Sequence, residues 1–192
     1  MSMVSGLMKF NQQFVDNKHY EPYLTDRYPD KKLVILTCMD TRLVELLPKA
    51  LNLRNGDAKI VKNAGAILTQ PFGSAMRSIL IAIYEMGAEE VLVIGHDGCG
   101  MTNLDTKALV NKFRASGISD KVLETLENSG IGMDRFLKGF SNPEEGVLHS
   151  VKIIRNHPLI PARFPVHGFI MHSDTGLLKL ISEGYSGEDN DK

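Results

Sequence analysis

Only two cysteines, Cys38 and Cys99, occur in the 192 residues, and there is no tryptophan, no excess of either charge and no long apolar run. Two cysteines in a chain of this length do not make a disulfide framework, which belongs to small secreted chains rich in cysteine. A formal net charge of -1, from 22 basic and 23 acidic side chains, offers no broad basic face for DNA or RNA. The most apolar stretch, Ile79 to Ile83, is cut short by Glu85 and Gly87, far below the roughly 20 residues of a membrane span. Met1 to Phe10 lack the apolar segment and small-residue cleavage site of a secretory signal, so a cytoplasmic location is expected. With 43% hydrophobic residues and neither repeats nor linkers, the sequence predicts one α/β domain over residues 1–185. A disordered polar tail is expected over 186–192.

What is present alternates. Short β-rich runs, Leu33 to Leu36, Ala58 to Val61, Val91 to Ile94 and Val166 to Met171, are separated by segments with helical spacing. This pattern predicts a central, mostly parallel sheet flanked by helices. Helices are expected over Met8–Val15, Thr41–Leu47 stopped by Pro48, and Phe72–Met86 stopped by Gly87. Further helices are expected over Asp105–Arg114, Asp120–Glu127 and Glu144–Asn156. The roughly 70 residues between the third and fourth strands are long for one crossover, and predict a satellite layer of helices.

In an open sheet of this kind, sites form beyond the carboxyl ends of strands where the strand order reverses. Cys38 follows the first strand and His96 the third, with Cys99 three residues on. Two thiolates and an imidazole favour zinc over calcium, magnesium or manganese, and three protein ligands leave a fourth position for chemistry. Gly95, Gly98 and Gly100 would let one tight turn aim His96 and Cys99 inward. Each residue also has a blander reading: Cys38 as a small core hydrophobe, His96 as a hydrogen-bonded core histidine, the glycine turn as a phosphate cradle. The glycine spacing does not match the dinucleotide fingerprint. Asp40 could cap the helix expected at Thr41 with Arg42 on the surface. Beside a metal, Asp40 held by an Arg42 fork could instead accept a proton from bound water.

Cys38-x-Asp40-x-Arg42, Asn63-Ala64-Gly65 and His96-x-x-Cys99-Gly100, in that order and at those separations, resemble the β-class carbonic anhydrases, the short prokaryotic-type members most of all. The resemblance implies zinc held by Cys38, His96 and Cys99, an Asp40–Arg42 catalytic dyad, and reversible hydration of CO2 to bicarbonate and a proton by zinc-bound hydroxide. It further implies a homodimer or a multiple of dimers, with Gln70, Pro71 and Phe72 reaching toward a partner's cleft; the alternative is that Phe72 packs the helix entry. In some members the residue matching Asp40 swings onto zinc as a fourth ligand, and such a closed state would make activity rise with pH. Lys62 and Ala66 depart from the family's frequent arginine and asparagine, and the lack of tryptophan argues against a regulatory bicarbonate pocket that uses one. Hydrolases of carbon disulfide and carbonyl sulfide share these ligands, so they stand as an alternative, as does a zinc or redox sensor in which Cys38 and Cys99 pair on oxidation. His149, His157, His167 and His172 are the proton-shuttle candidates, and His172-Ser173-Asp174 superficially resembles a hydrolase triad.

Overall fold

A computed structural model describes residues 2–185; the tail expected at 186–192 lies outside the described residues. The chain runs α1 (Met3–Asp16), β1 (Leu33–Cys38), α2 (Leu43–Ala50), β2 (Ala58–Asn63), α3 (Ser74–Tyr84) and β3 (Glu90–His96). It continues through α4 (Thr106–Ala115), α5 (Asp120–Asn128), α6 (Met133–Phe136), α7 (Pro143–Arg155), β4 (Val166–Met171) and β5 (Leu178–Ser182).

The sheet has the order β2-β1-β3-β4-β5, with the first four strands parallel and β5 antiparallel to β4. From β1 the chain moves first to one side, into β2, and then across to the other, into β3. The order therefore reverses between β1 and β3, and their carboxyl ends flank the crevice that such a reversal opens. Alternation along the strands supplies two cores. Val34 and Leu36 of β1 join Val91 and Val93 of β3 against α3 and α7, whereas Ile35 and Ile94 join Leu43 and Leu47 of α2 on the opposite face. Thr37 lies between them, wholly buried, and its hydroxyl donates to Ile94 O at 2.9 Å, locking the two strands together beside their ends.

Several elements differ from the sequence expectation. Pro48 does not stop α2 but lies inside it. Leu43 and Leu47 are fully buried one turn apart, and their packing outweighs the missing hydrogen bond that makes proline costly in a helix interior. β5 was not expected, because its strand residues are only half-covered and show no clean two-residue alternation; pairing with β4, not pattern, creates it. The short α6 was also not expected. Between β3 and β4, helices α4, α5 and α6 carry no buried residue, while α7 returns to the sheet with Val147, Val151 and Ile154 inward. That arrangement is the expected satellite layer with one helix making the crossover.

Candidate metal centre

β1 ends on Cys38 and β3 ends on His96, and the strands are direct neighbours. The turn after β3 brings Cys99 back to them. Cys38 Sγ, Cys99 Sγ and the His96 ring place one ligand atom each within 4.8 Å of one another. All three residues are at least 95% shielded from solvent.

The donor set fits zinc on three counts. The two sulfurs are 3.9 Å apart, and sulfurs each about 2.3 Å from a tetrahedral zinc would stand about 3.8 Å from one another. His96 Nδ1 lies 2.8 Å from Asp97 O, a contact that requires the proton on Nδ1 and leaves the Nε2 lone pair toward the sulfurs. Nε2 itself is buried with no hydrogen-bond partner, a costly arrangement for a group that a metal would satisfy. One of the two thiols, Cys38, is also prepared for deprotonation. The hydrogen bond from Cys99 holds the Cys38 thiol well below its usual range, with His96 and the backbone N–H groups of Gly65 and Asp40 helping against the opposing effect of burial. Cys99 is pushed up by the same pairing and by burial. A thiolate is therefore stable at Cys38, and it is the thiolate that binds metal.

The Asn63-Ala64-Gly65 turn supports this thiolate. Gly65 N donates to Cys38 Sγ at 3.4 Å, and Gly65 holds φ +82 with Ile67, Met101 and Phe140 each 3.0 Å from where a Cβ would stand. Conformation and crowding thus both demand glycine there. Asn63 pins the turn through its side chain, donating from Nδ2 to Ile67 O at 2.7 Å and accepting from Ile67 N at 3.1 Å. In the second turn, only Gly98 of the three expected glycines uses a left-handed conformation, with φ +59. Gly95 is instead required by close packing, since a Cβ there would fall 2.7 Å from Val147 Cγ2. Gly100 has open space around it.

Asp40 and Arg42 meet side chain to side chain. Arg42 Nε donates to Asp40 Oδ1 at 3.0 Å and Nη2 to Oδ2 at 2.9 Å, a two-point fork, and Arg42 N donates to Oδ1 at 2.9 Å. Asp40 therefore does not cap α2. Its carboxylate is consumed by a local turn onto Arg42, and the N-cap position falls on Arg42 itself with no side-chain cap. Hydrogen bonds from the Arg42 side chain and backbone hold the Asp40 carboxyl well below the usual range. Asp40 Oδ2 stands 3.7 Å from His96 Nε2, so an ionised carboxylate borders the three ligand atoms while paired with Arg42.

One contributor escaped the sequence reading. Arg42 Nη1 donates to Ser173 Oγ at 3.1 Å and Nη2 to Gly98 O at 3.0 Å. Ser173 was read only as part of a triad-like string, and no triad forms: its hydroxyl accepts from Arg42, while His172 Nδ1 accepts from Asp174 N at 3.4 Å. The signal that could have found it is its place just beyond β4, beside β3. Of the other histidines, His157 and His167 are buried, and His149 and His172 are exposed. Phe72 is 75% exposed with its ring 5.1 Å from that of His157, so it does not fill the entry to α3.

Comparison with known proteins agrees with this geometry. A family profile described as carbonic anhydrase matches residues 33–178. The chain is 52% identical over 188 residues to YvdA of Bacillus subtilis (strain 168), provisionally named a carbonic anhydrase, covering 98% of this chain and 95% of that protein. It superposes on the crystal structure of β-carbonic anhydrase isoform I from Trichomonas vaginalis with TM-score 0.86 and 33% identity, covering 96% of this chain and 100% of the other. A more distant relative is a carbon disulfide hydrolase of Acidithiobacillus thiooxidans, 31% identical over 158 residues, 78% of this chain and 77% of that protein.

Proposed function

The chain belongs to the β-class carbonic anhydrase family, and from that membership we propose that it is a zinc-dependent carbonate dehydratase that interconverts CO2 and bicarbonate. The observation that carries this reading is the convergence of Cys38, His96 and Cys99 beside an arginine-paired carboxylate. Cys38, Cys99 and His96 Nε2 would hold the ion, which supplies when bound the Lewis acidity that makes water a nucleophile near neutral pH. Asp40 accepts a hydrogen bond from the attacking water at Oδ2, and so orients its remaining lone pairs. Arg42 keeps Asp40 ionised and fixed, so that the carboxylate is an acceptor before substrate arrives. The balance is CO2 plus water giving bicarbonate plus one proton, and that proton must leave the cleft to buffer or to a surface group. Since CO2 carries no charge, its capture rests on the shape of the cleft and not on an ion pair.

The carbon disulfide hydrolase relatives favour a second reading, hydrolysis of carbon disulfide or carbonyl sulfide on the same residues. Zinc-loaded protein assayed on one preparation for CO2 hydration and for hydrogen sulfide release separates the two. We expect fast CO2 hydration; sulfide release without CO2 hydration would overturn the assignment. Inactivity toward both, with a Cys38–Cys99 disulfide forming under mild oxidant, would instead identify a sensor. The free, buried thiols suit the reducing conditions of the cytoplasm, where we place the protein.

We also propose a homodimer, or a multiple of dimers, in which α1 docks on a second copy. No residue of α1 is buried, and Met3, Val4, Leu7, Met8 and Phe10 are all exposed. A free helix of this length is marginal in water. The edge strand β2 and α3 leave Ile60 and Ile81 uncovered on the same chain, an apolar surface for a second copy's helix. Sedimentation of the full chain should give a dimer or larger, and Leu7→Glu with Phe10→Glu should shift it toward monomer. A monomeric wild type would refute this.

A further inference from the structure

We propose that Ser173 is a positioning residue for the Asp40–Arg42 pair, its hydroxyl fixing the free end of the Arg42 guanidinium so that the two-point fork stays on Asp40. The activity arm of the test rests on the function proposed above; the structural arm does not.

Arg42 is a long side chain, 42% exposed, and its fork to Asp40 uses Nε and Nη2. The outer nitrogen, Nη1, is left to find a partner. Water would serve it equally well and would leave the guanidinium free to pivot. Ser173 Oγ takes that position at 3.1 Å, and Gly98 O takes the second proton of Nη2 at 3.0 Å. The guanidinium is thereby held from three sides, by the segment after β1, the turn after β3 and the turn after β4. A hydrogen bond from a charged donor is stronger than one between neutral groups, and here it joins a mobile group to a rigid one.

The rigidity of Ser173 follows from its turn. Ser173 is only 7% exposed, and residues 172–177 are closed by His172 N to Leu177 O at 2.8 Å and Gly176 N to His172 O at 2.9 Å. Gly176, at φ +76, lies so close to α2 that a Cβ would meet Ala50 Cβ at 2.8 Å and Leu46 Cδ1 at 3.2 Å. The turn is therefore seated on the helix that begins immediately after Arg42. Ser173 and Arg42 share one foundation, and movement of the hydroxyl relative to the guanidinium is restricted. Asp174, exposed and next in sequence, is a second carboxylate whose charge reaches Arg42. Without the Ser173 anchor, Arg42 could divide its time between Asp40 and Asp174.

The test compares Ser173→Ala, which deletes the hydroxyl, with Ser173→Thr, which keeps it. Zinc content and thermal unfolding should stay close to wild type in both. For Ser173→Ala we expect a fall of about tenfold in kcat for CO2 hydration, the size of losing one charge-assisted hydrogen bond, and Ser173→Thr should recover most of it. In an Arg42→Ala background Ser173→Ala should cost nothing further. Nitrogen-15 spectra of the Arg42 side chain give the readout independent of turnover: separate guanidinium signals in wild type and Ser173→Thr, averaged signals in Ser173→Ala. Unaveraged signals in Ser173→Ala, or the same loss of activity with Arg42 already removed, would overturn the proposal. If no variant, wild type included, hydrates CO2, the functional reading fails and the spectra alone decide the role of Ser173.

Discussion

Cys38→Ser is expected to lose bound zinc and, with it, CO2 hydration. Serine is close in size but its hydroxyl does not ionise near neutral pH, whereas the environment of Cys38 is built for a thiolate, with Cys99 and the Gly65 N–H donating to Sγ. Removing a group that merely orients a ligand typically costs about 10–100-fold in metal affinity, so removing a ligand itself should cost more. Metal analysis after dialysis against a mild chelator should find less than about a tenth of the wild-type zinc. Stoichiometric zinc in the variant would refute the ligand assignment. The sheet itself should remain, because Cys38 lies at the end of β1 and Val34, Ile35 and Leu36 carry that strand's core contacts. Circular dichroism should therefore be nearly unchanged while metal and activity are lost together.

Asp40→Asn should separate those two losses. The variant keeps its shape and its zinc, yet presents an amide to Arg42, and one of the two fork contacts becomes donor against donor. We expect a fall of about 10²–10³ in kcat/KM, within the range for removing a group that handles a proton in the transition state. Arg42 keeps the native carboxylate ionised well below the usual range, so its stabilising charge is lost only as the solution becomes strongly acidic. The ratio of wild-type to variant activity should accordingly hold steady across neutral and alkaline pH. Full activity with full zinc would remove Asp40 from the mechanism. Arg42→Ala should lose a comparable factor, and the double variant little more, because the pair works as a unit.

The elements that place the candidate metal ligands were legible for a local reason. Leu33 to Leu36 and Val91 to Ile94 are dense in β-formers and each stops at a chemically distinctive residue, so the crevice could be located before any coordinates. The Asp40–Arg42 pairing was open from the residues alone, since Asp40 could equally have capped the next helix, and it was the family resemblance that implied the dyad. What sequence could not supply was any relation set by distant packing. Ser173 reaches Arg42 across 131 residues of chain, and its place beyond β4 puts it at the site's end of the sheet without naming Arg42 as its partner. Pro48 reads as a stop signal, yet the burial of Leu43 and Leu47 carries the helix through it. Three glycines in the His96 turn looked equivalent; one is needed for its backbone angle and another for the approach of Val147.

The contact between Cys38 and Cys99 spans 61 residues of chain. In polymer terms, a metal joining them would tie a noose around α2, β2, α3 and β3, and a noose of that length removes freedom chiefly from the unfolded chain. Because the closure term grows only logarithmically, by about 0.6 kcal/mol per doubling of the loop, modest insertions inside it would hardly change what the knot contributes. The satellite helices α4 to α6 all follow Cys99 and hang outside the noose. They can lengthen, shorten or drift in sequence without loosening it, which makes that layer the part of the fold most open to evolutionary experiment.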